Sequence, residues 1–185
     1  MEVKDTLRLQ ARKLFLQKSY AEAATDELVR RAKVTKGALY HHYANKQELY
    51  RAVVEDLERE VVASIEAAAA GLNDPWKRVR AMCRAYLDAC SNPSTARILV
   101  LEAPVVLGWK TWCQLEQENE VASFARCLRD ITSAESALTT ARVVLGALNT
   151  AVRVIATADD AAAARSQVEQ TIERLLDGLK AGGRQ

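Results

Sequence analysis

Between Asn45 and Ala70 apolar side chains recur at every fourth residue, at Leu49, Val53, Leu57, Val61 and Ile65, with glutamates and arginines between them. That spacing gathers the apolar groups on one face of a helix and turns the charges outward, whereas a strand, with its period of two, could not sort them this way. The same rhythm returns at Leu7, Ala11, Leu14 and Phe15, with Lys4, Arg8, Arg12 and Lys13 off that face. Only 7 glycines and 3 prolines punctuate 185 residues. Long helices with short connections follow, and the expected fold class is all-α.

End signals divide the chain into about nine helices. The first covers 4–18; Thr25 should cap the second, which runs to Ala32, and after the tight Lys33-Val34 connection Thr35 caps a third through His42. Two short helices joined so briefly share a core only by crossing steeply, as in a helix-turn-helix. Asn45 caps the long fourth helix, which Gly71 and Asn73 end, and Asp74-Pro75 opens a fifth that turns Trp76, Val79, Met82, Cys83, Tyr86 and Cys90 inward. Asn92-Pro93 starts the sixth, whose run Ile98-Leu99-Val100-Leu101 is apolar all round and so expected to be buried. After Pro104 and Gly108 a helix over 109–129 carries Trp109 and Trp112. Thr132 with Glu135 reads as a capping box for the eighth, to Thr157, and Asp159 or Asp160 caps the ninth, which ends at Gly182-Gly183. The basic three-helix unit gives way to a larger body inside the fourth helix, so the expected domains are 1–50 and 51–185.

Charge supports that division. Residues 1–51 hold 11 Lys and Arg against 6 Asp and Glu, leaving the remainder of the chain acidic within a net +2. A basic end is the expected polyanion-facing surface. No uninterrupted apolar stretch approaches membrane-span length, and Glu2 and Asp5 stand where a signal peptide would be basic; a cytoplasmic protein without membrane contact is expected. Cys83, Cys90, Cys113 and Cys127 lack metal-ligand spacing and read as reduced, packed thiols. No hydrolase elbow, zinc-protease, phosphate-loop or di-metal pattern occurs, so no enzyme, metal or cofactor is expected.

One segment is more specific. Phe15-Leu16-Gln17-Lys18-Ser19-Tyr20, then Ala24-Thr25, then Ala32 through Leu49 closely resembles the N-terminal signature of TetR-type regulators, its core being Leu39, Tyr40, His42, Tyr43, Lys46 and Leu49. The resemblance implies a recognition helix in the major groove of double-stranded DNA. A helix so placed needs small or polar residues at its start, which Thr35, Lys36, Gly37 and Ala38 supply. Tyr40, His41, Lys46 and Thr25 are the candidate phosphate contacts, while Leu28, Val34, Leu39 and Tyr43 hold the unit together. Gly37 in mid-helix costs about 1 kcal/mol relative to Ala, a penalty that close approach of backbone to DNA would explain. The chain departs from the family at Ser19 and Lys33, where glycine is usual. A residue with a side chain there must accept a positive φ or shift the turn.

The resemblance further implies a ligand-responsive regulator, most often a repressor, that binds a palindromic operator as a homodimer and is released by a small-molecule effector. Candidate effector contacts are Trp76, Met82, Cys83, Tyr86, Trp109, Trp112, Cys113, Phe124 and Asn149, with Glu102 and Arg97 as charged anchors. Glu102 beside an apolar run must meet solvent, an arginine or a ligand. Residues 102–112 are similar to a segment that, in one branch of the family, lies near the DNA-binding unit and transmits the ligand signal. The expected dimer face comprises Val144, Leu145, Leu148, Val152 and Ile155 on one helix and Val168, Ile172, Leu175, Leu176 and Leu179 on the next. The effector is expected to tilt the fourth helix and change the spacing of two recognition helices.

Overall fold

The computed structural model describes residues 2–182, and no strand occurs among them. Three helices form the N-terminal unit: α1 (Val3–Gln17), α2 (Thr25–Ala32) and α3 (Lys36–His42). The body follows with α4 (Lys46–Ala69), α5 (Pro75–Ala89), α6 (Pro93–Ala96), a π-helical segment (Arg97–Glu102), α7 (Ala103–Val106), α8 (Trp109–Glu118), α9 (Glu120–Leu128), α10 (Ala134–Thr157) and α11 (Ala161–Gly182). The expected frayed end at Gly183 lies outside the described residues.

Most helix ends are the ones the residue chemistry requires. Backbone N–H groups of the first turns donate to side-chain oxygens of Thr35, Asn45, Asp74, Asn92 and Asp160. Two expected caps move by one residue. Thr25 is the first residue of α2 rather than its cap, which is Ala24 with no side-chain bond, and Ser133, not Thr132, caps α10 by accepting from Ser136. Either hydroxyl could cap α10; the one in extended backbone at the boundary does.

Leu7, Ala11, Leu14 and Phe15 of α1 are fully buried with Leu28, Leu39, Leu49, Tyr50 and Val53, so the first turns of α4 complete the core of the three-helix unit. Further along, α4 packs on α5 and α9, and α10 lies between α9 and α11. At about 1.5–3 kcal/mol per fully buried large apolar side chain, this continuous core makes α4 a strut shared by both parts.

Three expectations are corrected. Glu58 is not on the outside of α4 but 3% exposed, because α9 covers that face. The apolar run of the sixth helix is buried at Ile98, Leu99 and Val100, but Leu101 is 39% exposed. One extra residue per turn in the π-helical segment rotates that side chain outward. The helix expected over 109–129 is broken at Asn119, whose φ of −108° and ψ of −92° separate α8 from α9. By length and average composition α10 could cross a bilayer, but Arg142, Asn149 and Arg153 interrupt it, so no uninterrupted apolar span occurs there, and its Ala137, Ala141, Leu148 and Val152 are buried in the bundle.

Candidate functional site

The face of α3 that points away from the core is small, polar and open. Leu39 is 2% exposed and anchors the helix, while Thr35, Lys36, Gly37 and His41 are exposed, Ala38 is half-buried and Tyr40 is 49% exposed. Gly37 sits in the first turn, not mid-helix, and a Cβ there would meet only Thr35 Oγ1 at 3.7 Å. Nothing inside the protein therefore requires glycine at this position. Lys36 Nζ is 2.5 Å from Asp26 of α2, which ties the two short helices together across their exposed side. Lys33 takes the left-handed conformation, with φ 55° and ψ 41°, letting Val34 N–H reach Val29 O at 3.0 Å. It is the one non-glycine residue with positive φ among those described, so Ser19 is accommodated differently, through hydrogen bonds to Glu22 at 2.8 and 3.1 Å. Thr25 is half-buried at the start of α2.

Lys46 stands apart from the other candidate contacts. Its ammonium lies 4.2 Å from the centroid of the Tyr20 ring, and burial lowers its pKa while the Glu102 carboxylate acts the other way. It belongs to a cluster where α1, α4 and the π-helical segment meet. Glu102 accepts from Tyr20 N–H at 3.2 and 3.3 Å, from the Tyr50 hydroxyl at 3.4 Å and from Arg97 at 3.0 Å. The Arg97 guanidinium also donates to the carbonyls of Phe15, Leu16 and Lys18 at 2.7–3.4 Å, occupying acceptors that the end of α1 leaves open. Gln47 donates to Val106 O, joining α4 to α7. Glu102 thus pairs with an arginine and does not line the main cavity; of the three expected options, the ion pair is realised. Tyr50, fully buried between Phe15 and Tyr20 in edge-on ring contacts of 5.0 Å, was missed by the every-fourth-residue pattern because it lies one position off it.

A cavity of about 680 Å³ opens between α8, the start of α9 and α10. Of the expected effector contacts it is lined by Trp109, Trp112, Cys113 and Asn149. Trp112 Nε1 donates to Leu99 O at 3.1 Å, so the cavity wall is bonded to the same π-helical segment that carries Arg97 and Glu102. Tyr86 reaches the wall indirectly: its hydroxyl donates to Asn149 Oδ1 at 2.6 Å, and Asn149 Nδ2 donates to Glu116 at 2.5 Å. Trp76, Met82, Cys83 and Phe124 lie elsewhere, Trp76 half-buried beside α9 and α10 and the other three in the core. Sequence reasoning missed Glu116, Val121, Arg142 and Arg153, and it gave Leu145, which also lines the cavity, to the dimer face. Burial pushes Glu116 up to about 7, against the lowering effect of Asn149 and Arg153.

The expected dimer residues divide. Leu145, Leu148, Val152, Ile172 and Leu176 are buried within the protomer and Ile155 and Val168 are half-buried, whereas Leu175 and Leu179 are 53% and 40% exposed. Val143, 65% exposed, joins them along a shallow apolar groove between α10 and α11.

Comparison with known proteins assigns both parts of the chain. Residues 8–53 match the family model described as bacterial regulatory proteins, tetR family, and residues 76–179 match the one described as tetracyclin repressor-like, C-terminal domain. A crystal structure of a TetR-family transcriptional regulator from Pectobacterium atrosepticum is 32% identical, with a TM-score of 0.81 and coverage of 95% of this chain and 93% of its own. A regulator from Shewanella, described as of the same family, shares the fold at a TM-score of 0.71 and 17% identity, covering 95% of this chain and 96% of its own. Among curated relatives, the HTH-type transcriptional activator FasR of Mycolicibacterium smegmatis is 29% identical over 74% of this chain and 62% of its own length. The Transposon Tn10 TetC protein of Escherichia coli is 32% identical over 54% of this chain and 50% of its own. The match therefore spans between half and two thirds of the length of these two curated relatives. FasR and the two solved structures are named as regulators, and the chain belongs to the TetR family of transcriptional regulators.

Proposed function

We propose that the chain is a cytoplasmic repressor that binds a palindromic DNA operator as a homodimer and leaves it when a small molecule enters the cavity beside Trp109 and Trp112. In this reading residues 1–50 bind DNA and residues 51–185 hold the effector and the dimer face. The observation that carries it is the continuous bonded route between the two. Trp112 donates to Leu99 O, the segment containing Leu99 carries Arg97 and Glu102, and those two side chains hold the end of α1 and Tyr50 of α4.

Displacement of Trp112 by an effector would be felt at the end of α1 and the start of α4, and so in the distance between two α3 helices of a dimer. The effect is bounded by the ligand's preference for one arrangement over the other. On the DNA side, Thr35, Lys36, Gly37 and Ala38 would address base edges, with Tyr40, His41 and Thr25 against phosphates. Lys46, stacked on Tyr20, would reach a phosphate only by leaving that ring. One relative is named an activator, and a reporter gene under the selected operator decides the sign of regulation here.

Selection of bound duplexes from random DNA by the purified protein, repeated with Tyr40→Ala, tests the reading. The expected result is an enriched palindrome that the variant fails to enrich. Enrichment of a single half-site, or an unchanged palindrome in the variant, would sink the dimeric or the residue-level part respectively.

A further inference from the structure

We infer that the effector of this cavity is an amphiphilic organic cation, its apolar body against Trp109 and Trp112 and its protonated nitrogen turned toward Glu116. The inference rests on the effector-released reading above and assigns the ligand a charge. Its basis is an imbalance of charge between the depth of the cavity and its mouth. Glu116 forms part of the wall, and close behind it Glu58 of α4 and Glu120 of α9 are 3% and 4% exposed. Each of the three has only neutral hydrogen-bond partners or none. Asn149 serves Glu116, Asn119 serves Glu58 at 2.8 Å, and Glu120 Oε2 is buried without any partner.

No cation of the described residues is paired with these carboxylates. Arg153, whose charge reaches Glu116, is exposed, and its guanidinium donates to Thr150; Arg142 is exposed and donates to Gln117; Lys110 is exposed. A carboxylate removed from water with no cation beside it is strongly disfavoured and holds its proton instead. Burial raises the pKa of all three; Glu116 raises Glu58 and Glu120 further, and Glu58 raises Glu120. An entering ammonium changes that balance. The Glu116 carboxyl gives its proton to solvent, the carboxylate that results pairs with the ligand's nitrogen, and charge is conserved: one cation enters and one proton leaves. The indole rings, 5.0 Å apart, offer faces that attract the same charge. A neutral or anionic ligand gains neither term, and the basic mouth disfavours a second positive charge at the ligand's outer end.

The test uses one apolar body with three head groups: naphthylethylamine, naphthylethanol and naphthylacetate, titrated calorimetrically into the full chain at pH 6.5 in two buffers of different ionisation enthalpy. The amine is expected to bind about ten-fold or more tighter than the other two and to release a proton. Glu116→Gln, which keeps an oxygen for the Asn149 amide, should remove the amine's advantage and the proton release while leaving circular dichroism unchanged. Equal or tighter binding of the acetate, no binding by any of the three, or an amine affinity that Glu116→Gln leaves intact would overturn the inference. Addition of the same probes to the operator complex separates it from the reading beneath it. An acetate that binds and releases DNA preserves the effector role and removes the cation, whereas an amine that binds as predicted without releasing DNA does the reverse.

Discussion

Two single residues, Lys33, where the chain departs from its family, and Arg97, have effects that can be measured. Lys33 holds φ at 55°, a conformation that costs a residue with a Cβ about 1–2 kcal/mol. Glycine there removes that cost but adds about 0.5–1 kcal/mol of chain entropy in the unfolded state, so Lys33→Gly is expected to raise stability by less than about 1 kcal/mol in urea unfolding. If Lys33 touches a phosphate, the same variant lowers the salt slope of DNA binding by about 1. Arg97 is less replaceable. Its guanidinium serves the Phe15, Leu16 and Lys18 carbonyls and the Glu102 carboxylate together, and without it Glu102 remains as a poorly hydrated charge. Arg97→Gln is expected to cost about 2–4 kcal/mol, with Arg97→Gln plus Glu102→Gln costing less than the sum of the single changes. A loss under about 0.5 kcal/mol, the range of ordinary surface changes, would mean that water already serves these groups.

The helices themselves decide where charge is buried. Asn119 breaks the α8–α9 path and sends its amide to Glu58 of α4, and the next residue, Glu120, is carried into the interior. The charged and titratable groups acting on this pair are Glu55 of α4 and Glu116 and Glu118 of α8; Tyr86 and Cys90 of α5 lie within the field of Glu120, and Arg153 of α10 acts on Glu116. Burial places all three carboxyls above their ordinary range, with Glu116 at about 7. Because the folded values exceed the unfolded ones, their stabilising effect is complete below the ordinary carboxylate pKa and is lost as pH rises through the folded values. The melting temperature is therefore expected to fall between pH 6 and pH 9, and Glu120→Gln to flatten that fall. A melting temperature constant over this interval in both proteins would show that the carboxylates are hydrated in solution.

At the scale of the whole molecule the open question is partnership. Val143, Leu175 and Leu179 stay exposed along a groove of about 280 Å³ between α10 and α11, while Arg80, Arg84 and Arg165 of the neighbouring face are occupied by Glu173, Glu169 and Asp88. Those partly solvated ion pairs add little each, so the apolar strip is the part expected to associate. Sedimentation should give twice the 20.4 kDa chain mass. Val143→Glu combined with Leu175→Glu should return the single-chain mass with helix content intact and abolish enrichment of a palindrome. A double variant that remains dimeric would move the interface away from this strip.

Helix order and most boundaries were legible in the sequence because they depend on neighbours three and four residues apart: the apolar stripe of α4, the caps at Thr35, Asn45, Asp74 and Asn92, the exposed start of α3 behind buried Leu39. The contents of the cavity were not legible in this way. Whether Trp76 or Glu116 faces it, whether Leu145 serves a cavity or a partner chain, and whether Glu58 is wet or dry depend on which helix covers which face. That choice is made by packing between residues such as Glu58 and Asn119, or Tyr86 and Asn149, which lie some sixty positions apart. Local periodicity tells a side chain's angle about its own helix axis; only the assembled bundle tells what stands opposite.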